Sequence, residues 1–372
     1  MPRALTHRTR FVHYHPWLLS RNDSIALVAY HWARAVTAAG YRVELVGDSA
    51  SDPPPSADDV MVSGVRHVGR GPTLTPIGLG QRLGADDILV LHTDWRFANL
   101  FAARVARRLG VPYLVVPHGG YEPGVLPRVR DPLRYRMPAE RHLLDNALGV
   151  HVFFETEADL VRRFAPRARF VVAPTGFEIN SAPEWKGGGG YDAWLGRYDI
   201  GHKGLDLLLQ ALATLPPEAR PLVAMHGIDW PNSAAEVAQQ ARGLGVEASV
   251  SVDPPIFGEQ KDRFLREADA YLHPARWESY GLAILENVAL GAPCLVSSAT
   301  HLAQWWREDP PFVVCDPTPA GIAAGLQRVR DAAPDKLAER GRELITRDLA
   351  WPVVTERFLD GVDRLLAGAQ VA

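Results

Sequence analysis

The chain is poor in cysteine, in methionine, in long apolar runs and in net charge. Its 372 residues include two cysteines and four methionines. Cys294 and Cys315 both lie in apolar, strand-like runs. They read as buried reduced thiols, which excludes a disulfide framework. No apolar stretch approaches the ~18 residues that a membrane-spanning helix needs. The basic start, Met-Pro-Arg-Ala-Leu-Thr-His-Arg-Thr-Arg, is followed by no apolar secretory segment. These features together lead us to expect a cytoplasmic protein. Forty Lys and Arg against 43 Asp and Glu leave a formal net charge of -3, so no global charge recruits nucleic acid. Repeats are missing too, and the one low-complexity tract is Lys186 followed by Gly187, Gly188, Gly189 and Gly190.

What is present is ordinary globular material, 47% hydrophobic and 22% charged. The length favours two domains. Apolar strand-like runs occur at Arg10–Tyr14, Arg42–Val46, Val65–Val68, Ile88–His92, Tyr113–Pro117, Val150–Phe154 and Phe170–Ala173. Helical patterns separate several of them, at Ile25–Ala39, Asn99–Leu109 and Glu155–Phe164. Such alternation with near-continuous apolar strands predicts a doubly wound parallel sheet. The stretch Thr175–Gly190 breaks the pattern and reads as a flexible linker. Alternation then restarts, with strands near 193–195, 222–226, 250–252, 270–273, 294–297 and 312–314. Helices fall near 205–215, 234–244, 260–267, 281–290, 319–330, 334–345 and 353–366. The expected domains are 1–174 and 191–350, joined by a linker over 175–190, with a last helix within 351–372. Two Rossmann-like α/β domains in this order would face each other across a cleft.

The most informative segment is Glu278-Ser-Tyr-Gly-Leu-Ala-Ile-Leu-Glu286, which continues as Asn-Val-Ala-Leu-Gly-Ala-Pro. Leu282, Leu285, Val288 and Ala289 recur at helical spacing, and Gly291 and Pro293 stop the helix. With a strand on each side, this is a parallel βαβ unit whose helix N-terminus faces the carboxyl edge of the sheet. The N–H groups of Tyr280, Gly281 and Leu282 there favour an anion such as a diphosphate. Glu286 lies roughly 7.5 Å further along the helix, an offset suited to gripping ribose hydroxyls. Glu278 precedes the helix and would stand over its mouth. A surface helix with two solvated glutamates is the bland alternative.

The run His273-Pro-Ala-Arg-Trp-Glu-Ser-Tyr-Gly-Leu-Ala-Ile-Leu-Glu-Asn-Val-Ala-Leu-Gly-Ala-Pro resembles the E-x7-E signature of retaining glycosyltransferases of family 4, which have the GT-B fold. Ala173-Pro-Thr-Gly-Phe-Glu178 and Leu195-Gly-Arg-Tyr-Asp-Ile-Gly-His-Lys-Gly-Leu-Asp are similar to further motifs of that family. The resemblance implies a GT-B architecture whose last helix, near Trp351–Leu366, crosses back to the first domain. It implies a nucleoside-diphosphate sugar as co-substrate and retention of anomeric configuration.

Arg197 at a strand end and Lys203 at the opening of the next helix are two cations able to neutralise a leaving diphosphate, or else solvated surface charges. The resemblance assigns both to the donor diphosphate. No Asp-x-Asp occurs in the sequence, which leads us to expect metal-independent action with no cofactor. Histidines end several strands of the first domain: His13 and His15, His92 before Asp94, and His118 before Gly119. Family members often carry His-Gly at the position of His118, near acceptor and donor sugar, so His118 and Glu278 are the catalytic candidates. Trp17 and Trp95 are candidates for stacking on sugar faces, or else buried packing residues. The family's Gly-Gly loop after the first strand is replaced by Leu19-Ser-Arg-Asn-Asp-Ser24, where Asn22 and Asp23 offer hydrogen bonds to sugar hydroxyls or cap the helix. The basic stretch with Arg128, Arg130, Arg134, Arg136 and Arg141 reads as a solvated helix face, with peripheral contact to an anionic membrane surface as the alternative.

These readings converge on a glycosyltransferase, retaining and hexosyltransferase-type, acting on a soluble natural product or sugar. Three rivals are an epimerase of the same architecture, a metal-dependent hydrolase built on His13, His15, His92, Asp94 and His118, and a non-catalytic sugar-nucleotide-binding protein.

Overall fold

The computed structural model describes residues 4–18, 24–48, 60–70, 73–125, 137–179, 184–229 and 232–368. Asn22, Asp23, Arg128, Arg130, Arg134 and Arg136 lie outside the described residues. The chain divides into two compact units, one holding the residues up to Gly176 and those from Leu349 on, the other Phe177–Asp348.

In chain order the first unit runs β1 (Arg10–Tyr14), α1 (Ser24–Ala38), β2 (Arg42–Asp48), β3 (Met61–Val68), β4 (Thr75–Ile77), α2 (Leu79–Arg82), β5 (Asp87–His92), α3 (Phe97–Leu109), β6 (Tyr113–Val116), α4 (Met137–Asp145), β7 (Gly149–Val152), α5 (Glu155–Phe164) and β8 (Phe170–Val172). Its sheet has the order β4-β3-β2-β1-β5-β6-β7-β8. All neighbours are parallel except β4, an antiparallel edge strand that the sequence pattern did not reveal. The central strands are apolar on both faces because helices cover both. Val12, Leu89, Leu91, Tyr113, Val115 and Val150 pack with Ala98, Ala102 and Ala106 of α3 in one core. At the amino edge Arg10 ties three strands together, bonding Glu44 at 2.8 Å and Asp87 at 2.6 Å.

The second unit runs β9 (Asp192–Tyr198), α6 (Ile200–Lys203), α7 (Leu205–Thr214), β10 (Val223–Asp229), α8 (Ser233–Gly243), β11 (Val250–Asp253), α9 (Gly258–Glu267), β12 (Ala270–His273), α10 (Leu282–Leu290), β13 (Cys294–Ser297), α11 (His301–Trp305), β14 (Val313–Cys315), α12 (Pro319–Arg330) and α13 (Pro334–Leu344). Its parallel sheet has the order β11-β10-β9-β12-β13-β14. Strand order reverses between β9 and β12, as it does between β1 and β5 in the first unit. At such a reversal the flanking connections leave in opposite directions and open a crevice at the carboxyl ends. Both cysteines are buried and free.

α14 (Trp351–Gly368) belongs to the first unit, as expected. Its Phe358 ring lies 5.7 Å from that of Phe11 and 5.1 Å from that of Trp32. A Cβ on Gly361 would stand 2.8 Å from Val171 Cγ1, so the helix approaches β8 closely because this position has no side chain.

The flexible linker read over 175–190 is corrected for its second half. Trp185 N–H donates to Leu290 O at 2.9 Å, Lys186 N–H to Arg266 O at 2.9 Å and Gly189 N–H to Glu267 O at 2.8 Å. The indole of Trp185 donates to Ala268 O at 2.6 Å. Gly187, Gly188 and Gly190 have φ of 63, 79 and 75°, so the glycines supply a fixed left-handed path rather than looseness.

Phe358 is 2% exposed, and Phe358→Ala should destabilise the first unit by about 3–5 kcal/mol. Urea denaturation followed by tryptophan fluorescence measures this. A loss below about 1 kcal/mol would show that α14 is not part of that core.

Candidate active site

In the second unit, seven sequence-predicted residues, Arg197, Lys203, Glu278, Tyr280, Gly281, Leu282 and Glu286, lie at or after the carboxyl ends of β9 and β12. Arg197 is exposed, one residue before the end of β9. Lys203 does not open the long helix, as its spacing predicts. It closes the one-turn α6, and Gly204 in the left-handed conformation (φ 65°) then redirects the chain into α7. A Cβ on Gly204 would lie 2.1 Å from Pro274 O, so this turn sits directly on the loop after β12. Within that loop Arg276 donates to both carboxylate oxygens of Asp206 at 2.7 Å. His202 stacks on Trp277 with ring centroids 4.5 Å apart and planes 5° apart.

This stitching sets Glu278 against Lys203. Glu278 Oε2 accepts from Lys203 Nζ at 2.5 Å and from His273 Nε2 at 3.1 Å. His273 is buried, and its Nδ1 lies 3.3 Å from Tyr271 Oη. Burial works against the charged form of Glu278, but Lys203 and the hydrogen bond from His273 outweigh it and hold the carboxyl well below the usual range. Glu278 is therefore a carboxylate at neutral pH. Its side chain is 14% exposed and ion-paired, so it is not the solvated surface glutamate of the bland alternative.

α10 begins at Leu282, with Gly281 before it at φ 84°, a conformation that glycine adopts without strain. The first N–H groups of the helix, from Leu282 on, have no intrahelical acceptor. Tyr280 is buried at 6% exposure, and the N–H groups of Ile284 and Leu285 donate to Gly281 O at 2.9 and 3.2 Å. Glu286 bonds Lys261 Nζ at 3.0 Å. Lys261, His273, His202 and Trp277 escaped the sequence reading. His273 was quoted within the signature, whereas Lys261 reaches Glu286 from α9 with nothing in its local sequence to mark it.

In the first unit the residues that end β1, β5 and β6 lie at another carboxyl edge. Thr93, Trp95 and His118 have φ of 68, 52 and 51°. A β-branched residue there is a true outlier, held in place by Asn99 Nδ2, which donates to His92 O and Thr93 O at 2.9 Å each. His92 is buried, with His13 on one side and His118 on the other, each at 2.9 Å. His118 is half-buried, and burial first, then His15 and His151, push its pKa down to about 3. His15 is 1% exposed, so it does not form an open contact. Trp95 is corrected as a sugar-stacking surface. It lies in the core, its indole donating to Gly120 O at 3.2 Å and its N–H to Glu140 Oε1 at 3.0 Å. Trp17 is 38% exposed with Arg96 stacked 5.0 Å above it. Gly119 N–H donates to the buried Glu157 at 3.2 Å. Asp94 is half-buried and pressed against Gly120. Burial, then Glu140, raise its pKa to about 7. Among the described residues no group of three His, Cys, Asp or Glu is placed to hold a metal ion. The histidines face one another instead.

A cavity of about 300 Å³ lined by Asp87, Ile88 and Tyr113 lies at the amino ends of these strands, the edge opposite His118.

With this geometry in place, comparison with known proteins is direct. Residues 25–176 match the family described as Glycosyl transferase 4-like domain, and residues 195–343 match Glycosyl transferases group 1. The chain belongs to the GT-B glycosyltransferases of the family 4 type. The D-inositol 3-phosphate glycosyltransferase of Xylanimonas cellulosilytica is 29% identical over 161 residues, 42% of this chain and 38% of that one. The chain spans less than 40% of the length of the curated relatives it matches first. Sucrose-phosphate synthase from Thermosynechococcus elongatus superposes with a TM-score of 0.74 at 17% identity, over 97% of this chain and all of that one (100%). Anabaena HepE in complex with UDP and glucose gives 0.72 at 14% identity, over 96% of this chain and 100% of that one. Among the described residues no helix is long and apolar enough to cross a membrane.

The histidine cluster makes stability depend on pH. Burial lowers the pKa of His13 and His15 to about 3, whereas the unfolded chain has the ordinary value near 6.5. Below about pH 6.5 the unfolded state binds protons that the native state refuses, so stability is complete above that pH and falls as pH drops towards 3. Each histidine contributes up to about 1.4 kcal/mol per pH unit in that window. Between pH 7.5 and 5.5 His13, His15 and His118 together lose about 4 kcal/mol and the protonation of Asp94 returns roughly 2, so urea denaturation should show the first unit at least about 2 kcal/mol less stable at pH 5.5. Equal stability at the two pH values would mean that these histidines are charged in the native protein.

Proposed function

We propose that the chain transfers a sugar from a nucleoside-diphosphate sugar to an acceptor hydroxyl, with retention of anomeric configuration and without a metal. The observation that carries the reading is the Lys203–Glu278 pair beside the start of α10, at the point where strand order reverses. A diphosphate on the α10 N-terminus would draw on the helix dipole, and Arg197 and Lys203 would supply the positive charge. Glu286, one turn into α10, is assigned to the ribose hydroxyls. Glu278 is ionised, so it serves as a hydrogen-bond acceptor for hydroxyls of the donor sugar and not as a proton donor.

In the reaction, the bond between the anomeric carbon and the diphosphate oxygen breaks. A bond from the same carbon to the acceptor oxygen forms on the same face. The acceptor proton goes to the leaving phosphate oxygen, which requires no protein base. This agrees with a neutral His118 whose pKa is depressed to about 3, because such an imidazole orients a hydroxyl better than it removes a proton. HepE has UDP and glucose bound, which supports a nucleotide sugar as the donor class. A modest net charge of -3 favours a soluble saccharide or small-molecule acceptor, and two free, buried thiols favour the cytoplasm as the place of action.

Activity should persist in excess EDTA, and Lys203→Ala should cost on the order of 2–5 kcal/mol in transition-state stabilisation. Steady-state assays with a panel of nucleotide sugars check both. Full loss of activity in EDTA, or wild-type turnover by Lys203→Ala, would sink the metal-free reading. Conversion of the donor sugar to an epimer without acceptor, seen by NMR, would assign the epimerase instead.

Nucleotide affinity gives an independent check of the ribose assignment. Glu286→Gln keeps the size but loses the charged acceptor, so nucleoside diphosphate binding should weaken by roughly 1–3 kcal/mol. Unchanged affinity in a calorimetric titration removes Glu286 from the site.

A further inference from the structure

His13 is buried and has no part in the chemistry above, yet it ends a line of three imidazoles that reaches His118. His13 pairs in the sheet with Val90, and His92 pairs with Val116. Each histidine thus lies two residues beyond its neighbour's partner and on the same sheet face, so the rings step diagonally across β1, β5 and the turn after β6. His13 Nδ1 faces His92 Nε2 at 2.9 Å, and His92 Nδ1 faces His118 Nε2 at 2.9 Å. The ring planes are 26 and 23° apart with centroids at 5.1 and 5.3 Å, an edge-to-edge line rather than a face-to-face stack.

Burial keeps all three rings neutral at neutral pH, and a neutral imidazole carries a single N–H. Each contact consumes one N–H and one lone pair, so the three protons must point the same way along the line. If they point towards His13, its proton sits on Nε2, which is buried with no hydrogen-bond partner. Orphaned buried N–H groups are rarer than under-used acceptors. If they point towards His118, His13 Nε2 keeps only a lone pair and the His118 proton is displaced to Nδ1.

We infer that His92, backed by His13, is a positioning residue that fixes His118 in the Nδ1–H tautomer, with Nε2 engaged by His92. His118 then offers a hydrogen-bond donor to a substrate oxygen and no acceptor. Its backbone at φ 51° holds the ring at the end of the line. The functional meaning rests on the role proposed for His118, but the tautomer does not.

Long-range 1H–15N correlation on 15N-histidine-labelled protein tests this, with the His118 signals identified by their loss in His118→Gln. The expected pattern is a protonated Nδ1 and an unprotonated Nε2. His92→Phe keeps a planar aromatic ring, slightly larger and without nitrogens. It should change that pattern and lower kcat on the order of tenfold or more, with nucleoside diphosphate affinity unchanged. His13→Leu passes the orphaned nitrogen to His92 Nε2, where a bare lone pair is again favoured over an orphaned N–H, so the His118 pattern should stay as in the wild type. A wild-type His118 protonated on Nε2, or an unaltered pattern in His92→Phe, overturns the inference. If either variant fails to fold, the wild-type tautomer still decides. A wild-type protein with no transferase activity would refute the proposed function and leave the tautomer result standing.

Discussion

The contact on which the second unit's site depends is the ion pair of Lys203 with Glu278. Neither residue is near the other in sequence, and each is held by a turn that admits no alternative path. Gly204 turns left-handed against the Pro274 carbonyl, and Arg276 locks the facing loop to Asp206 through two charged hydrogen bonds. A part-buried pair of this kind gains little net stability, because desolvation offsets much of its Coulomb energy. Its value is positional. Lys203 and Glu278 are held at a strand-order reversal, where the proposed donor would meet fixed charges instead of reorganising water.

The first unit solves a related problem with neutral groups. Its carboxyl edge holds three non-glycine residues at positive φ, Thr93, Trp95 and His118, and strain of that kind concentrates at functional sites. The support lies underneath. Asn99 caps the turn after β5, Glu140 ties Trp95 to Tyr121, and Glu157 ties Gly119 to α5. Trp95, which looked like a sugar platform, belongs to this support. Buried histidines fill the space that a charged network would otherwise occupy, at the cost of acid sensitivity.

The two units share a plan and differ in where charge is allowed. Both sheets reverse order beside their first strand, and both anchor that strand at the amino edge with a buried carboxylate bonded to arginine, Asp87 to Arg10 and Asp192 to Arg330. At the carboxyl edges they diverge. The second unit places an ion pair there, Lys203 with Glu278, beside the start of α10. The first unit places imidazoles that burial keeps neutral.

By itself the sequence determined the alternation of strands and helices, the presence of a last helix and the position of the E-x7-E segment. Those features are written in local periodicity, in glycines and prolines that stop elements, and in the spacing of Glu278 and Glu286 along one short stretch. It did not show the edge strand Thr75–Ile77, too short for a pattern, or that the glycines at 187–190 follow a fixed path, because the carbonyls that receive that backbone come from α9 and the residues that follow it. Only the tertiary structure decided which charges meet. Lys261 reaches Glu286, and Lys203 rather than solvent holds Glu278. His13, His92 and His118 form one hydrogen-bonded line because parallel pairing of β1, β5 and β6 offsets each by two residues. Register between strands distant in sequence is set by packing of whole sheet faces, and no local pattern in a single chain segment carries that information.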